Sequence, residues 1–201
     1  MKTTKNIFSA ILCLLIPCTA MAADPQFVNT SEGIINQLTE PNDFGLSRSF
    51  IVGESPSRAI IVRINKKGEE LEKEVLVKED AIIGVARLKV EFDVASAKLR
   101  PGSFNVLDQL GVALGDVRLS GQQICIKGHT DSDGDEDYNR RLSYQRAESV
   151  REYVVNQYNL NGKDLFVVGY GEQMPLADNS TMATKQVNRR VEITLGCSEV
   201  Q

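Results

Sequence analysis

Three patterns in the sequence predict a two-layer α/β (α+β) sandwich. Short apolar runs of strand length recur near residues 88–94, 124–126, 165–169 and 191–195. Segments with apolar residues at helical spacing lie between them, and Gly or Pro stands at the junctions. The resulting order, β-α-β-α-β-(α)-β, describes a domain of about 110 residues with helices packed on one sheet.

The elements follow in chain order. Ser31–Leu38 is expected to form a short helix, followed by a turn at Pro41, Asn42, Asp43 and Gly45. Ile60, Val62 and Ile64 alternate with Ile61, Arg63 and Asn65. With a turn at Lys66-Lys67-Gly68 and a second run at Val75–Val77, they predict a hairpin. Residues 23–85 carry no chemical motif and read as a small extension packed on the main domain. Leu88, Val90, Phe92 and Val94 alternate with Lys89, Glu91 and Asp93, which predicts a half-buried strand. A helix follows Pro101-Gly102, with Ser103 as its expected N-cap and Leu107, Leu110, Leu114 and Val117 on its apolar stripe. Gly121 ends that unit. Ile124 and Ile126 mark the second strand, and a helix is expected over Asn139–Asn156. Leu165–Gly169 and Val191–Leu195 are the third and fourth strands, with room for a third helix within Glu172–Gln186.

Residues 1–22 read as an address rather than as part of the fold. Lys2 and Lys5 precede the apolar run Ile7–Ile16, and Ala20-Met21-Ala22 has the small outer residues of a cleavage site. That run is about half the roughly 20 residues of a spanning helix. A cleaved secretory signal is the expectation. An uncleaved anchor and a lipoprotein modified at Cys18 are the alternatives, the latter opposed by Pro17 where a small residue is expected. Cleavage leaves 21 basic against 27 acidic residues, a net charge of −6. It also leaves Cys125 and Cys197, and two cysteines in an exported chain suggest one disulfide. Strand parity opposes the bond, because Cys125 points away from the Ile124/Ile126 face while Cys197 continues the Val191-Ile193-Leu195 face. Pairing requires a twist, which Gly196 permits.

The chemically informative stretch is Gly128–Val150. Asp131 stands just past a strand end, and Asp133, Asp135, Glu136 and Asp137 precede a helix, where its dipole favours acids by about 0.3–1 kcal/mol each. The dipole accounts for most of the acidic run. It does not account for Arg146, which shares a stripe with Leu142, Val150 and Val154, widened by Ala147. A guanidinium on an apolar stripe needs a partner or a wet edge. Asp131 is the nearest candidate, and Arg189-Arg190 can close the same corner. Two readings follow: a structural salt bridge, or a socket for a ligand carrying both an amine and a carboxylate.

These residues resemble the OmpA-like peptidoglycan-binding domain, found also in peptidoglycan-associated lipoproteins and flagellar stator proteins. The resemblance rests on Gly128-His129-Thr130-Asp131, Gly134, Asn139, Leu142-Ser143, Arg146-Ala147 and Val150. It continues through Gly169-Tyr170-Gly171-Glu172, Pro175 and Asn188-Arg189-Arg190-Val191-Glu192. The similarity spans roughly residues 86–196, and Thr184-Lys185 departs from an expected Gly-Arg. It implies a mixed four-stranded sheet and a non-catalytic domain, here 86–198, that binds the diaminopimelate residue of the peptidoglycan stem peptide. Asp131 would accept from the ligand ammonium and Arg146 would grip its carboxylate. Thr130, Asn139, Leu142 and Arg189 match positions lining the family pocket. The implied setting is the periplasm, associated with the outer membrane or with a protein of an envelope complex. No cofactor or metal is implied.

Composition narrows the remaining classes. A pI near 5.2 without Lys/Arg clusters argues against nucleic acid. Absence of Trp argues against a stacking platform. Residues 23–85 lack the repeated strands of an outer-membrane barrel. Two rival readings use the acids at 131–137. A calcium loop would have its Gly at position 4 instead of 6, and Leu142 where the bidentate Glu belongs. A hydrolase has His129 as the chain's one histidine and shows no nucleophile–base pattern.

Overall fold

The computed structural model of the 201-residue chain describes residues 27–40, 57–64, 70–77 and 84–196. The expected leader, the turns at 41–45 and 66–68, and Cys197 lie outside the described residues. The elements are α1 (Ser31–Thr39), β1 (Ser57–Ile64), β2 (Glu70–Val77), β3 (Val85–Leu88), α2 (Phe104–Leu114), β4 (Ile124–His129), α3 (Glu136–Tyr158), β5 (Leu165–Gly171), α4 (Met182–Asn188) and β6 (Val191–Leu195).

The strands form one mixed sheet in the order β2-β1-β5-β4-β6-β3. Its four-stranded centre, β5-β4-β6-β3, is the sheet the resemblance implies. β4 runs parallel to β5 and antiparallel to β6, and β3 closes one side antiparallel to β6. The predicted hairpin forms as β1 and β2 and joins the opposite side, with Ile60 facing Gly169.

Strand parity sends Ile124, Ile126, Val167, Val191 and Ile193 toward the helices. There they meet Leu107 and Leu110 of α2 and Ala147, Val150 and Val154 of α3. Ile34, Ile35 and Leu38 of α1 complete the same core. Arg118 fastens α1 from outside, with both terminal nitrogens on the Glu32 carboxylate at 2.9 Å. The other face of the sheet carries Cys125, Val168 and Tyr170, and the buried charges Lys127, Arg190 and Glu192.

Three local expectations are corrected. The first strand of the main domain ends at Leu88, and Val94 is 97% exposed. Residues 91–100 fold into a small loop of their own, with Arg100 N–H donating to the Glu91 carbonyl and Asp93 N–H to that of Lys98. Ser103 does not cap α2: its hydroxyl donates to the Glu91 carbonyl and accepts from the Glu91 N–H, tying that loop to the helix start. α2 ends at Leu114, so Val117 falls in a separate short turn and is 84% exposed.

Candidate functional site

The site lies where β4 delivers the chain to α3. Gly128 permits this approach, since a Cβ there would come within 2.0 Å of the Ser143 carbonyl oxygen of α3. Ser143 then locks the junction, accepting from the Gly171 N–H and donating to the Arg140 carbonyl, both at 2.8 Å. Beyond β4, Thr130 N–H bonds the Gly171 carbonyl at 2.9 Å. Asp131 is thereby fixed at the mouth of the sheet.

The expected Asp131–Arg146 salt bridge does not form, and Asp131 is partnered instead by Arg189. Its guanidinium pairs with Asp131 Oδ2, while Oδ1 accepts from the Asp133 N–H at 3.1 Å. Arg190 turns the other way, onto Glu192 at 2.9 Å and the Met174 carbonyl. Arg146 makes no ion pair among the described residues. Its Nε donates to the Ser96 carbonyl at 3.1 Å, and its guanidinium lies over the Phe92 ring, 5.1 Å from the centroid. Burial pulls its pKa below the ordinary value, with Asp131 opposing the shift and Arg189 adding to it. Arg146 is thus a largely buried cation within the field of Asp131 whose terminal nitrogens meet no acceptor among the described residues.

The other predicted residues gather around this pair. Asn139 uses one side-chain amide as a three-way tie, donating to the Asp131 and Asp133 carbonyls and, at 2.7 Å, to Glu172. Leu142 is buried one turn before Arg146 on α3. The Thr130 hydroxyl is buried with no hydrogen-bond partner among the described residues. Cys125 is disulfide-bonded and sits on the opposite face of the sheet; its predicted partner Cys197 is outside the described residues.

Most of the acidic run has structural employment. Asp135 caps α3 by accepting from the Tyr138 N–H, and Glu136 and Asp137 pair with Arg140. Asp133 pairs with Lys185 at 2.6 Å. The Thr184-Lys185 departure therefore has a physical account: Thr184 closes a capping box with Thr181 at the start of α4, and Lys185 reaches back to Asp133. Among the described residues no group of three or more His, Cys, Asp or Glu side chains is arranged to hold a metal. His129 points to the opposite sheet face, stacked on Tyr170 at 5.3 Å. Burial, and then Arg190, push its pKa down to about 4 against the pull of Glu192.

Sequence reasoning gave no role to Phe92, Ser96 or Asn188, although Asn188 stands in a motif that carries the resemblance. Asn188 holds the β5–α4 connection by accepting from the Leu176 and Ala177 N–H groups and donating to Ala177 and Asn179. Its place in that motif, directly before Arg189, is the signal that pointed toward it.

The OmpA family profile matches residues 91–189, which include this site. The chain is 38% identical to outer membrane porin F of Pseudomonas aeruginosa over 106 residues, 53% of this chain and 30% of that protein. It is 32% identical to the peptidoglycan-associated lipoprotein of Pseudomonas putida over 118 residues, 59% of this chain and 68% of that protein. The chain thus spans less than a third of the porin and about two thirds of the lipoprotein. The crystal structure of the periplasmic domain of Helicobacter pylori MotB shares the fold, with a TM-score of 0.51 at 22% identity over 70% of this chain and 87% of that one. The matched segment and the lipoprotein similarity together establish that the chain belongs to the OmpA family.

Proposed function

We propose that this protein is a non-catalytic cell-envelope protein that binds peptidoglycan through the diaminopimelate residue of the stem peptide. In this role it tethers the outer membrane, or a protein complex of the envelope, to the cell wall. The observation that carries the reading is Arg146, a mostly buried guanidinium with no ion pair among the described residues, within the field of the Asp131 carboxylate. The free end of diaminopimelate carries an ammonium and a carboxylate on one carbon. Arg146 takes the carboxylate through parallel N–H donors, and Asp131 takes the ammonium. Arg189 holds Asp131 in place, and Asn139, Thr130 and Leu142 wall the pocket. The name of the Pseudomonas putida relative, a peptidoglycan-associated lipoprotein, supports peptidoglycan as the polymer bound. The binding domain is assigned to residues 86–198, and export to the periplasm follows from cleavage after Ala22.

Pull-down on insoluble diaminopimelate-type peptidoglycan tests the reading. A hydrogen bond involving a charged group contributes about 1.5–3 kcal/mol. Arg146→Ala and Asp131→Ala should each weaken retention about tenfold or more, with fold checked by circular dichroism. A folded Arg146→Ala variant retained like wild type returns Arg146 to a structural role. Release by chelator, or turnover of the stem peptide, would favour the calcium or hydrolase alternatives.

A further inference from the structure

The contacts of Arg146 come from a part of the chain that has no role in the reading above. Glu91 and Arg100 close a small loop, and within it Ser96 N–H donates to the Asp93 carbonyl at 3.2 Å. That bond defines a β-turn with Val94 and Ala95 at its centre. Ala95 has φ 49°, the left-handed region that a residue with a Cβ seldom occupies. The backbone accepts this conformation where two consecutive carbonyls are put to use. The Ala95 carbonyl accepts from the Tyr138 hydroxyl at 3.4 Å, and the Ser96 carbonyl accepts from Arg146 Nε at 3.1 Å. Phe92, just before the turn, packs against the core and supplies the ring beneath the guanidinium.

We propose that Phe92 and the Asp93–Ser96 turn position Arg146: the ring supports one face of the guanidinium and the Ser96 carbonyl occupies Nε, which leaves the two terminal nitrogens for an anion. Phe92 is then a positioning residue that sets selectivity for a ligand carrying a carboxylate at that point. The inference rests on the anion-binding role of Arg146 given above. The geometry suits it, since an aromatic face attracts a cation without supplying a competing acceptor. A carboxylate in the same position would neutralise Arg146 and close the socket.

The experiment compares retention on diaminopimelate-type and lysine-type peptidoglycan, the latter lacking the distal carboxylate. Wild type should prefer the diaminopimelate type, and Arg146→Ala should lose the preference. Phe92→Leu keeps apolar bulk and removes the ring. It should weaken retention on the diaminopimelate type roughly three- to tenfold and leave the lysine type unchanged. Phe92→Tyr should restore the preference. Equal weakening on both polymers, or full wild-type preference in Phe92→Leu, overturns the positioning role while leaving Arg146 as the anion site. Absence of preference in wild type overturns both. Should Phe92→Leu fail to fold, nuclear magnetic resonance of the wild-type protein decides. The Arg146 Nε–H signal, assigned by its loss in Arg146→Lys, should exchange slowly and be displaced by the Phe92 ring current. An Nε–H that exchanges like that of an exposed arginine overturns the proposal.

Discussion

Leu38 sits in the last turn of α1, one helical turn after Ile34, and both are 0% exposed within the core that α2, α3 and the sheet share. Leu38→Ala removes a buried isobutyl group, leaving a cavity beneath a nine-residue helix. Substitutions of this kind cost about 2–5 kcal/mol. The upper half of that range is expected only where neighbours cannot collapse into the space. Here the backbone is tightly placed: a Cβ at Gly84 would stand 2.0 Å from the Gln37 carbonyl oxygen, so the chain entering β3 lies directly against the end of α1. We therefore expect Leu38→Ala to cost about 3–4 kcal/mol. For a chain of this size that lowers Tm by roughly 6–16 °C. Gly84→Ala, which forces backbone apart instead of leaving a void, should destabilise as well. Urea and thermal unfolding followed by circular dichroism measure both. A Leu38→Ala protein with the wild-type midpoint would refute the placement of α1 in the core. Peptidoglycan retention below the transition should be unchanged, since α1 does not contribute to the site.

Three further outcomes are expected. His129 has a folded pKa of about 4 against an ordinary 6.5. The unfolded chain therefore binds more protons between these values, and stability should fall as pH drops from 6.5 toward 4, by roughly 3 kcal/mol in all. Urea unfolding across that window should show a flatter profile in His129→Gln, and an unchanged profile refutes the assignment. Non-reducing peptide mapping should yield a fragment joining Cys125 to Cys197, and reduction should lower stability by about 2–4 kcal/mol; two free thiols in the denatured, unreduced protein contradict it. Intact mass of the exported protein should correspond to a chain beginning at Ala23, and a mass that includes residues 1–22 contradicts the cleavage.

The centre of the fold was legible because β4 and β6 alternate, β5 is a short continuous apolar run, and α3 keeps its stripe through Leu142, Val150 and Val154. The first strand was misread for a physical reason. Val90 and Phe92 keep alternating after β3 has ended, since both turn inward from a loop that also buries apolar side chains. Alternation reports burial on one side, and it does so whether the chain pairs with a strand or folds back on itself. At the site, Asp131 and Arg146 stand out because each is a charge where the pattern calls for burial. Their partners did not stand out. Arg189 and Arg190 are adjacent and chemically identical, so only three-dimensional placement tells which one meets Asp131. The Ser96 carbonyl is a backbone group and leaves no trace in side-chain chemistry. Lys185 was noticed as a departure, and its pairing with Asp133 became evident only once α4 was placed beside the β4–α3 loop.

The N-terminal region has a consequence for solubility. An exposed sheet margin presents free N–H and C=O groups to any passing strand and invites association between molecules. The four-stranded centre has two such margins, and residues before β3 protect both. On the β5 side, β1 pairs through Ile60 and hands the edge on to β2. On the β3 side, Phe27 forms a parallel bridge to Arg87, and Val28 N–H bonds the Arg87 carbonyl at 2.9 Å. One continuous stretch of chain thus shields opposite ends of the same sheet. A version trimmed to residues 84–196 would keep Asp131, Arg146 and Arg189 but bare both margins, so self-association would be its first failure.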